Sequence, residues 1–172
     1  LPAWPVGRRL GLDVIILGGG PGGTAAAEAL SKGGKKVLLV SDELGGECLN
    51  YGCIPTKTYL HSADEFEKFK KAELLGITSG PISIDWERVK ERRKTVVAKL
   101  QKNLAWSLKT AGVEIVQGRG KFLSADTIEV TAQEFKAANF IIAAGSAPAT
   151  IPGMPLGGKV VDSHAILDLP QI

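Results

Sequence analysis

A short apolar segment that runs into a glycine-rich turn and then into a helix-forming stretch is the feature that most constrains the fold of this 172-residue chain. The apolar segment covers residues 13–17, the turn covers 18–23, and an alanine-rich stretch follows Thr24. A second apolar segment, residues 36–40, comes at the distance that completes a βαβ unit. Two parallel strands joined by a crossover helix predict an α/β protein with a parallel sheet.

The glycines of this turn have the spacing of the GxGxxG dinucleotide-binding fingerprint. We expect Gly18 to permit the tight turn, Gly20 to let a pyrophosphate approach the backbone, and Gly23 to let the helix pack closely on the strand. The N–H groups at the start of the helix would then face the phosphates, helped by the helix dipole.

The fingerprint also requires an acidic side chain near the end of the second strand, to bind the adenosine ribose. Here the residues after Val40 are Ser41, Asp42 and Glu43, so the acid is displaced by one position or replaced. We favour Asp42 over Ser41 as the ribose ligand. The alternative is that Asp42 and Glu43 are solvated loop charges.

Both cysteines of the sequence lie in one glycine-rich segment, as the pattern CxxxxC at Cys48 and Cys53. A disulfide across so short a loop would stabilise the fold comparatively little, which favours a chemical role. Glycines and a proline surround the pair, and a buried core helix or strand would avoid so many backbone breakers. Zinc usually takes four nitrogen or sulfur ligands, and only His61 and His164 are available besides. A dithiol/disulfide centre is therefore the favoured interpretation, with apolar burial and zinc as alternatives.

The segment 45–57, with the sequence GGECLNYGCIPTK, resembles the redox motif of the FAD-dependent pyridine nucleotide-disulfide oxidoreductases, and most of all that of the dihydrolipoyl dehydrogenases. Glutathione and mercuric reductases tend to carry Val in the Leu-Asn and Ile-Pro pairs. Residues 118–122 are similar to the family segment whose backbone meets the adenine. Residues 140–148 resemble the second FAD motif, in which Thr more often stands at the position of Ala144. Ser163 falls where the family has a flavin-site serine, so the resemblance covers about Leu12 to Leu169.

The resemblance implies a role for each residue of the redox motif. Cys48 would be the interchange thiol that meets the substrate, and Cys53 would lie against the isoalloxazine ring as a thiolate. A helix N-terminus after Gly52 and the charge of Lys57, which would lie near the flavin N5 edge, would help to stabilise that thiolate. No metal ligands are expected. The implied catalytic residues are Cys48, Cys53 and Lys57, and the implied FAD-binding residues are Gly18, Gly20, Pro21, Gly22, Gly23, Ser41, Asp42, Gly46, Glu47, Cys48, Gly52, Cys53, Lys57, Gly118, Arg119, Gly120, Ala143, Ala144, Gly145, Ser146 and Ser163.

The resemblance also implies a reaction, in which electrons pass from dihydrolipoamide to the Cys48–Cys53 disulfide, then to FAD and finally to NAD. Family members are homodimers that continue into an NAD(P)-binding domain and an interface domain. We therefore expect an N-terminal arm over residues 1–11, an FAD-binding domain over 12–150, and a remaining segment over 151–172 that ends where the NAD(P)-binding domain would start. The alternatives are a non-catalytic FAD-binding fragment or subunit that needs a separate NAD/interface chain, and a sibling disulfide or mercuric reductase.

The composition is that of an ordinary globular domain, with 44% hydrophobic and 23% charged residues and a formal net charge of +3. This weak positive charge comes with no known nucleic-acid-binding motif, so we expect no nucleic-acid partner. The sequence has no apolar run of the length that spans a membrane, and its first residues are unlike a secretory signal. We expect a cytoplasmic protein without a membrane partner.

Coarse periodicity predicts the remaining elements. Pro55 is expected in the first turn of a helix that ends at Gly76, and Asp85 is expected to cap a second long helix. Trp86 and Trp106 are expected to pack in the core or between helices. Residues 119–139 suggest a β-meander placed before the last parallel strand. The expected fold is thus α/β, a Rossmann-like FAD-binding fold with a parallel sheet, flanking helices and an inserted β-meander.

Overall fold

A computed structural model describes residues 11–78 and 80–171 of the chain. The ten main elements are β1 (Leu12–Leu17), α1 (Pro21–Lys32), β2 (Val37–Ser41), α2 (Gly46–Asn50), α3 (Cys53–Lys70), α4 (Trp86–Thr110), β3 (Glu114–Gln117), β4 (Lys121–Phe122), β5 (Thr127–Val130) and β6 (Gln133–Ile142). Short 3₁₀ turns lie at Ala72–Leu75 and Ala165–Asp168. The predicted α/β class and the βαβ unit at the start of the chain are confirmed.

The six strands of the described residues form one sheet, in the order β3-β2-β1-β6-β5-β4. The strands β3, β2, β1 and β6 are parallel, and β5 and β4 add to β6 as an antiparallel meander. Because successive strand residues point to opposite faces, Ile15 and Ile16 of β1 enter two different cores. Ile15 packs with the buried residues of the meander, and Ile16 packs with the inner faces of α1 and α4.

The last strand differs from the prediction. A separate meander followed by a parallel strand was expected. Instead, β6 is one continuous strand that is both the last strand of the meander and the last parallel strand. Its residues 133–136 pair antiparallel with β5, and its residues 137–142 pair parallel with β1. No glycine or proline interrupts residues 133–142, so the strand can continue from one set of partners to the next.

The described residues form two compact units, each made of two stretches of chain. The sheet unit contains residues 11–47 and 101–146, and the cysteine unit contains residues 48–100 and 147–171. The predicted arm lies outside the described residues except for Gly11. The predicted boundaries 1–11, 12–150 and 151–172 stay a prediction.

The cysteine unit is held together by bonds from α3 and α4 to the segment 165–170. Tyr59 Oη donates a 2.8 Å hydrogen bond to the carbonyl of Leu167, and Trp86 Nε1 donates a 3.1 Å bond to that of Leu169. Arg93, which is only 8% exposed, forms an ion pair with Asp168. Trp86 also packs on Tyr59, with ring centroids 5.1 Å apart, so its predicted packing role is confirmed.

The prediction for Trp106 is wrong, because its side chain in the sheet unit is 70% exposed. Leu104 and Leu108 of the same helix pack on the core. A residue two positions from each of these lies on the opposite side of an α-helix, so the helix turns Trp106 away from the sheet.

The start of α4 follows the sequence signal, whereas the end of α3 differs from it. The Arg88 amide donates a 3.1 Å bond to Asp85 Oδ1, as expected of a capping residue at the start of α4. The helix α3 ends at Lys70, earlier than expected, and the 3₁₀ turn after it ends at Gly76, whose φ of +76° is left-handed. Within residues 11–78 and 80–171, no helix has the length and apolar character needed to cross a membrane.

Candidate functional site

The turn between β1 and α1 requires glycine at Gly18 and Gly23. Gly18 has a φ of +116°, and a Cβ on it would come within 2.0 Å of the carbonyl oxygen of Ala143. A Cβ on Gly23 would come within 1.8 Å of the carbonyl oxygen of Gly18. The first glycine therefore lets the chain turn beside the end of β6, and the second lets α1 lie directly against the end of β1.

The start of α1 offers backbone donors with no side-chain cap. Gly20 is the N-cap and Pro21 the first helical residue, while the Thr24 amide donates a 2.9 Å bond to the Gly20 carbonyl. Helix geometry leaves the amides of Gly22 and Gly23 without intrahelical acceptors. A Cβ on Gly20 would have only the Cα of Gly46 within 4 Å, at 3.7 Å, so space remains beside the N-terminus of the helix. These features fit a bound diphosphate.

A second glycine pair lies against this turn. Gly46 has a φ of +55°, and a Cβ on it would come within 2.7 Å of the Cα of Gly20. The Gly45 amide donates a 2.7 Å bond to the carbonyl of Gly19. The glycines before the cysteine motif are therefore needed to let two backbones approach each other, a role that the sequence motif alone does not reveal.

The two candidates for the ribose ligand have different surroundings. Ser41 Oγ accepts a 2.9 Å bond from the Gly19 amide and donates a 2.7 Å bond to the carbonyl of Glu43, so its hydroxyl is occupied by the backbone. The Asp42 carboxylate forms an ion pair with Arg119, and both side chains are largely exposed. The structure thus brings together two of the predicted FAD-binding residues, Asp42 and Arg119.

Apart from Glu47, which is exposed in α2, the remaining predicted FAD-binding residues of the sheet unit lie in the loops after β3 and β6. Gly118, with a φ of +139°, donates a 3.1 Å amide bond to the Ser41 carbonyl, and a Cβ on Gly120 would come within 2.8 Å of Leu17 Cδ2. The Ala143 amide donates a 2.8 Å bond to the Leu17 carbonyl, and residues 144–146 continue as exposed chain. These loops meet at the carboxyl edge of the parallel strands, where α/β sheets bind their ligands.

The two thiols of the cysteine unit are neighbours. Cys48 lies in α2 and is half-buried, whereas Cys53 is the exposed first residue of α3, and both are free. A hydrogen bond with Cys53 raises the pKa of the Cys48 thiol, and burial raises it further. The backbone amide of Cys53 and the charge of Lys57 oppose this effect. The pair can therefore form a disulfide by thiol exchange and reopen it.

The other predicted residues of the cysteine unit surround the start of α3 or lie near the C-terminal end of the chain. Gly52 is the N-cap, and its carbonyl accepts a 3.1 Å bond from the Thr56 amide. Lys57 is exposed, one turn after Cys53. Ser163 is exposed as well, next to Asp162, whose Oδ1 accepts amide bonds from the two residues after Ser163.

The predicted site residues divide between the two units. Cys48, Gly52, Cys53, Lys57 and Ser163 belong to the cysteine unit, while Glu47 and the other predicted FAD-binding residues belong to the sheet unit. That both groups meet one cofactor stays a prediction.

Three kinds of contact in the structure were not predicted from the sequence. Gly19 bonds to Ser41 and to Gly45, a stacked pair of rings joins Tyr51 to His164, and Gln101 Nε2 donates a 2.8 Å bond to Glu43 Oε1. Each contact joins residues that are far apart in the sequence, so no local sequence pattern predicts it.

Known proteins with similar sequences are disulfide oxidoreductases. The family model described as pyridine nucleotide-disulphide oxidoreductase matches residues 12–169. The chain is 44% identical over 164 residues to a dihydrolipoyl dehydrogenase of Acholeplasma laidlawii, covering 91% of this chain and 49% of the relative. It is 37% identical over 169 residues to that of Bacillus subtilis, covering 94% of this chain and 37% of the relative. The chain thus spans about half or less of the length of these relatives.

Solved structures agree on the fold. The flavoprotein disulfide reductase RclA of Escherichia coli superposes with a TM-score of 0.75 at 26% identity, covering 92% of this chain and 34% of that one. LpdA of Mycobacterium tuberculosis superposes with a TM-score of 0.81 at 24% identity, covering 93% of this chain and 38% of that one. The second likeness supports the fold alone.

Proposed function

Since the chain belongs to the pyridine nucleotide-disulphide oxidoreductase family, we propose that it forms the FAD-binding, redox-active disulfide part of a dihydrolipoyl dehydrogenase. Its cofactor is FAD, as the sequence predicts. The observation that carries the proposal is the hydrogen-bonded pair of free thiols, Cys48 and Cys53, in a chain that resembles dihydrolipoyl dehydrogenases over nearly all of its length.

The residues that would hold FAD follow from the geometry of the sheet unit. The N-terminus of α1 and the glycines of its turn would bind the diphosphate through backbone amides. Asp42 and Arg119 would bind the adenosine ribose from the end of β2 and the loop after β3. Bound FAD supplies a two-electron carrier between the disulfide and a nicotinamide.

The protein part of the reaction is thiol–disulfide exchange. A thiolate of dihydrolipoamide attacks Cys48 of the oxidised pair, the Cys48–Cys53 bond breaks, and Cys53 leaves as a thiolate. The second thiolate of the substrate then attacks the mixed disulfide and releases Cys48, while the substrate becomes a cyclic disulfide. Cys53 is proposed as the leaving sulfur because it is the first residue of α3, on the side of the pair that the family resemblance assigns to the flavin.

The substrate, the electron acceptor and the partner are proposed from the names of the longer relatives. Dihydrolipoamide is the proposed dithiol substrate, NAD the proposed acceptor, and a second copy of the whole polypeptide the proposed partner, since the matched relatives are named dihydrolipoyl dehydrogenases. We further propose that the protein acts in the cytoplasm, where a reducing thiol pool suits a disulfide that opens and closes.

The test is an absorption spectrum of the chain loaded with FAD and reduced by two electrons. A thiolate beside the flavin gives a long-wavelength absorption band, which we expect in the wild type. The Cys48→Ser variant keeps the flavin-side thiolate and has no disulfide to reduce, so it should show such a band before reduction, while its FAD is still oxidised. Cys53→Ser should show no such band before or after reduction. An unchanged band in Cys53→Ser would contradict the assignment of Cys53.

A second candidate function is reduction of another disulfide, favoured by the structural likeness to a flavoprotein disulfide reductase. Rates with lipoamide, glutathione disulfide and Hg²⁺, measured with NADH or NADPH, rank these substrates. The proposal predicts the highest kcat/KM for lipoamide with NADH. A preference for glutathione disulfide or Hg²⁺ would identify a sibling reductase.

A further inference from the structure

An aromatic stack fixes the short link between the two thiols. Only Tyr51 and Gly52 separate the end of α2 from the start of α3, and the Tyr51 ring stacks on the imidazole of His164. Their ring centroids are 4.6 Å apart and their planes are inclined by 22°. This geometry is that of a favourable stacked pair.

The segment that carries His164 is itself well anchored within the cysteine unit. Asp162 Oδ1 accepts bonds of 3.0 Å and 2.8 Å from the amides of His164 and Ala165. Four residues after His164, Asp168 is paired with the buried Arg93, and Tyr59 of α3 bonds to the carbonyl of Leu167. The imidazole is therefore held on a segment that is bonded to α3 and α4.

We propose that Tyr51 and His164 are positioning residues that raise the effective concentration of the Cys48 and Cys53 thiols toward each other. This inference rests on the proposed function, because it concerns the same redox pair. In the dithiol, the stack restrains the link between the helices in addition to the bond that the Gly52 carbonyl accepts from the Thr56 amide. In the disulfide, the covalent bond already confines the link. The stack loses less entropy when it forms on a link that the disulfide already confines, so it is stronger in the disulfide state and favours that state.

The experiment measures the equilibrium between the 172-residue chain and glutathione. One protein thiolate attacks glutathione disulfide and releases one reduced glutathione. The other protein thiolate attacks the mixed disulfide and releases the second, so two protein thiols are oxidised and one glutathione disulfide is reduced. Acid quenching, alkylation and mass spectrometry then give the oxidised fraction at each ratio of the two glutathione forms, at one fixed pH.

We expect Tyr51→Ala to lower the equilibrium constant for disulfide formation about twofold to threefold, a part of the roughly tenfold factor that the whole energy of an aromatic pair would give. Tyr51→Phe keeps the ring and should lower the constant by less than Tyr51→Ala does. Phe69→Ala is the matched control, since it removes another aromatic side chain of the same unit that is 55% exposed. His164→Ala gives an independent variant should Tyr51→Ala fail to fold, as judged by circular dichroism.

A double-mutant cycle separates the stack from other effects. If the two rings act through each other, Tyr51→Ala combined with His164→Ala has the equilibrium constant of either single variant. Additive losses would overturn the inference, as would a wild-type value in Tyr51→Ala, and both results would leave the proposed function intact. A wild-type chain that forms no Cys48–Cys53 disulfide at any glutathione ratio would overturn the proposed function and the inference with it.

Discussion

At the scale of single residues, the turn between β1 and α1 leaves no space for a side chain at Gly23. We predict that Gly23→Ala destabilises the fold by about 1 to 3 kcal/mol, because its Cβ would overlap the carbonyl oxygen of Gly18 and force α1 away from β1. Urea unfolding followed by circular dichroism measures this loss. Gly11→Ala is the control, since a Cβ there would have no atom within 4 Å. Equal unfolding midpoints for the two variants would contradict the predicted overlap.

The charge of Lys57 should have a measurable effect on the pKa of Cys48. This charge lowers the pKa of Cys48 against the larger effects that raise it. In a Cys53→Ala background, Lys57→Met should therefore raise the pKa of Cys48 and slow its reaction with iodoacetamide at pH 8, by about twofold for an exposed and screened charge. Lys71→Met, which removes an equal charge just beyond the last turn of α3, should leave the rate unchanged. If Lys71→Met slowed the reaction and Lys57→Met did not, the predicted effect of the Lys57 charge on Cys48 would be wrong.

Several features of single residues could be predicted from the spacing of the glycines. The close contacts of Gly18 and Gly23 follow from the GxGxxG pattern, since only one arrangement of strand, turn and helix suits those positions. The occupied hydroxyl of Ser41 could not be predicted, because its donor, Gly19, is bonded to it only once β1 and β2 are side by side. The pairing of Asp42 with Arg119 depends in the same way on the sheet.

At the scale of elements, the turn before β5 is organised by one carboxylate. Asp126 accepts hydrogen bonds from Ser124 and Thr127 and forms a 2.6 Å ion pair with Lys136 of β6. The bond to Lys136 is the main reason that the pKa of Asp126 lies well below its usual value. A carboxyl group with a lowered pKa in the folded state stabilises it above the unfolded pKa, near 4, and loses that contribution as the pH falls through the folded pKa.

We therefore predict that the stability difference between wild type and Asp126→Asn is greatest near pH 7 and shrinks as the pH falls below about 4. Urea unfolding at several pH values measures the difference, with Glu134→Gln, a neighbouring acid of the same meander, as the control. A difference that grows toward acid pH would contradict the sign of the pKa shift.

Elements with local signals were predicted better than elements defined by distant partners. Asp85 marks the start of α4 through a bond to a residue three positions away, and that signal held. Gly76 ends the 3₁₀ turn after α3 and not α3 itself, which stops at Lys70. The continuous β6 was missed, since its two halves differ only in their partner strands, β5 and β1. The local sequence of a strand does not specify whether its neighbours run parallel or antiparallel.

At the scale of the whole molecule, a buried cation holds the cysteine unit together. The Arg93 side chain is 10% exposed and that of Asp168 is 64% exposed. We predict that Asp168→Asn costs about 1 to 3 kcal/mol, because it leaves the buried guanidinium without its anion. Adding Arg93→Met should restore part of the loss, since methionine fills the space without a charge. Urea unfolding followed by tryptophan fluorescence measures both effects. Glu67→Gln, which removes one member of an exposed ion pair, should leave the free energy of unfolding unchanged. A double variant less stable than Asp168→Asn would contradict the proposed role of the buried charge.

The central claim is that Cys48, Cys53 and FAD form one redox system, and an anaerobic titration of the FAD-loaded chain with dithionite tests it most directly. A disulfide that shares electrons with FAD adds a two-electron centre, so the oxidised wild type should take up about two electrons more per chain than the Cys48→Ser variant, before the absorbance of the flavin is fully lost. An equal uptake by the two proteins would contradict the claim.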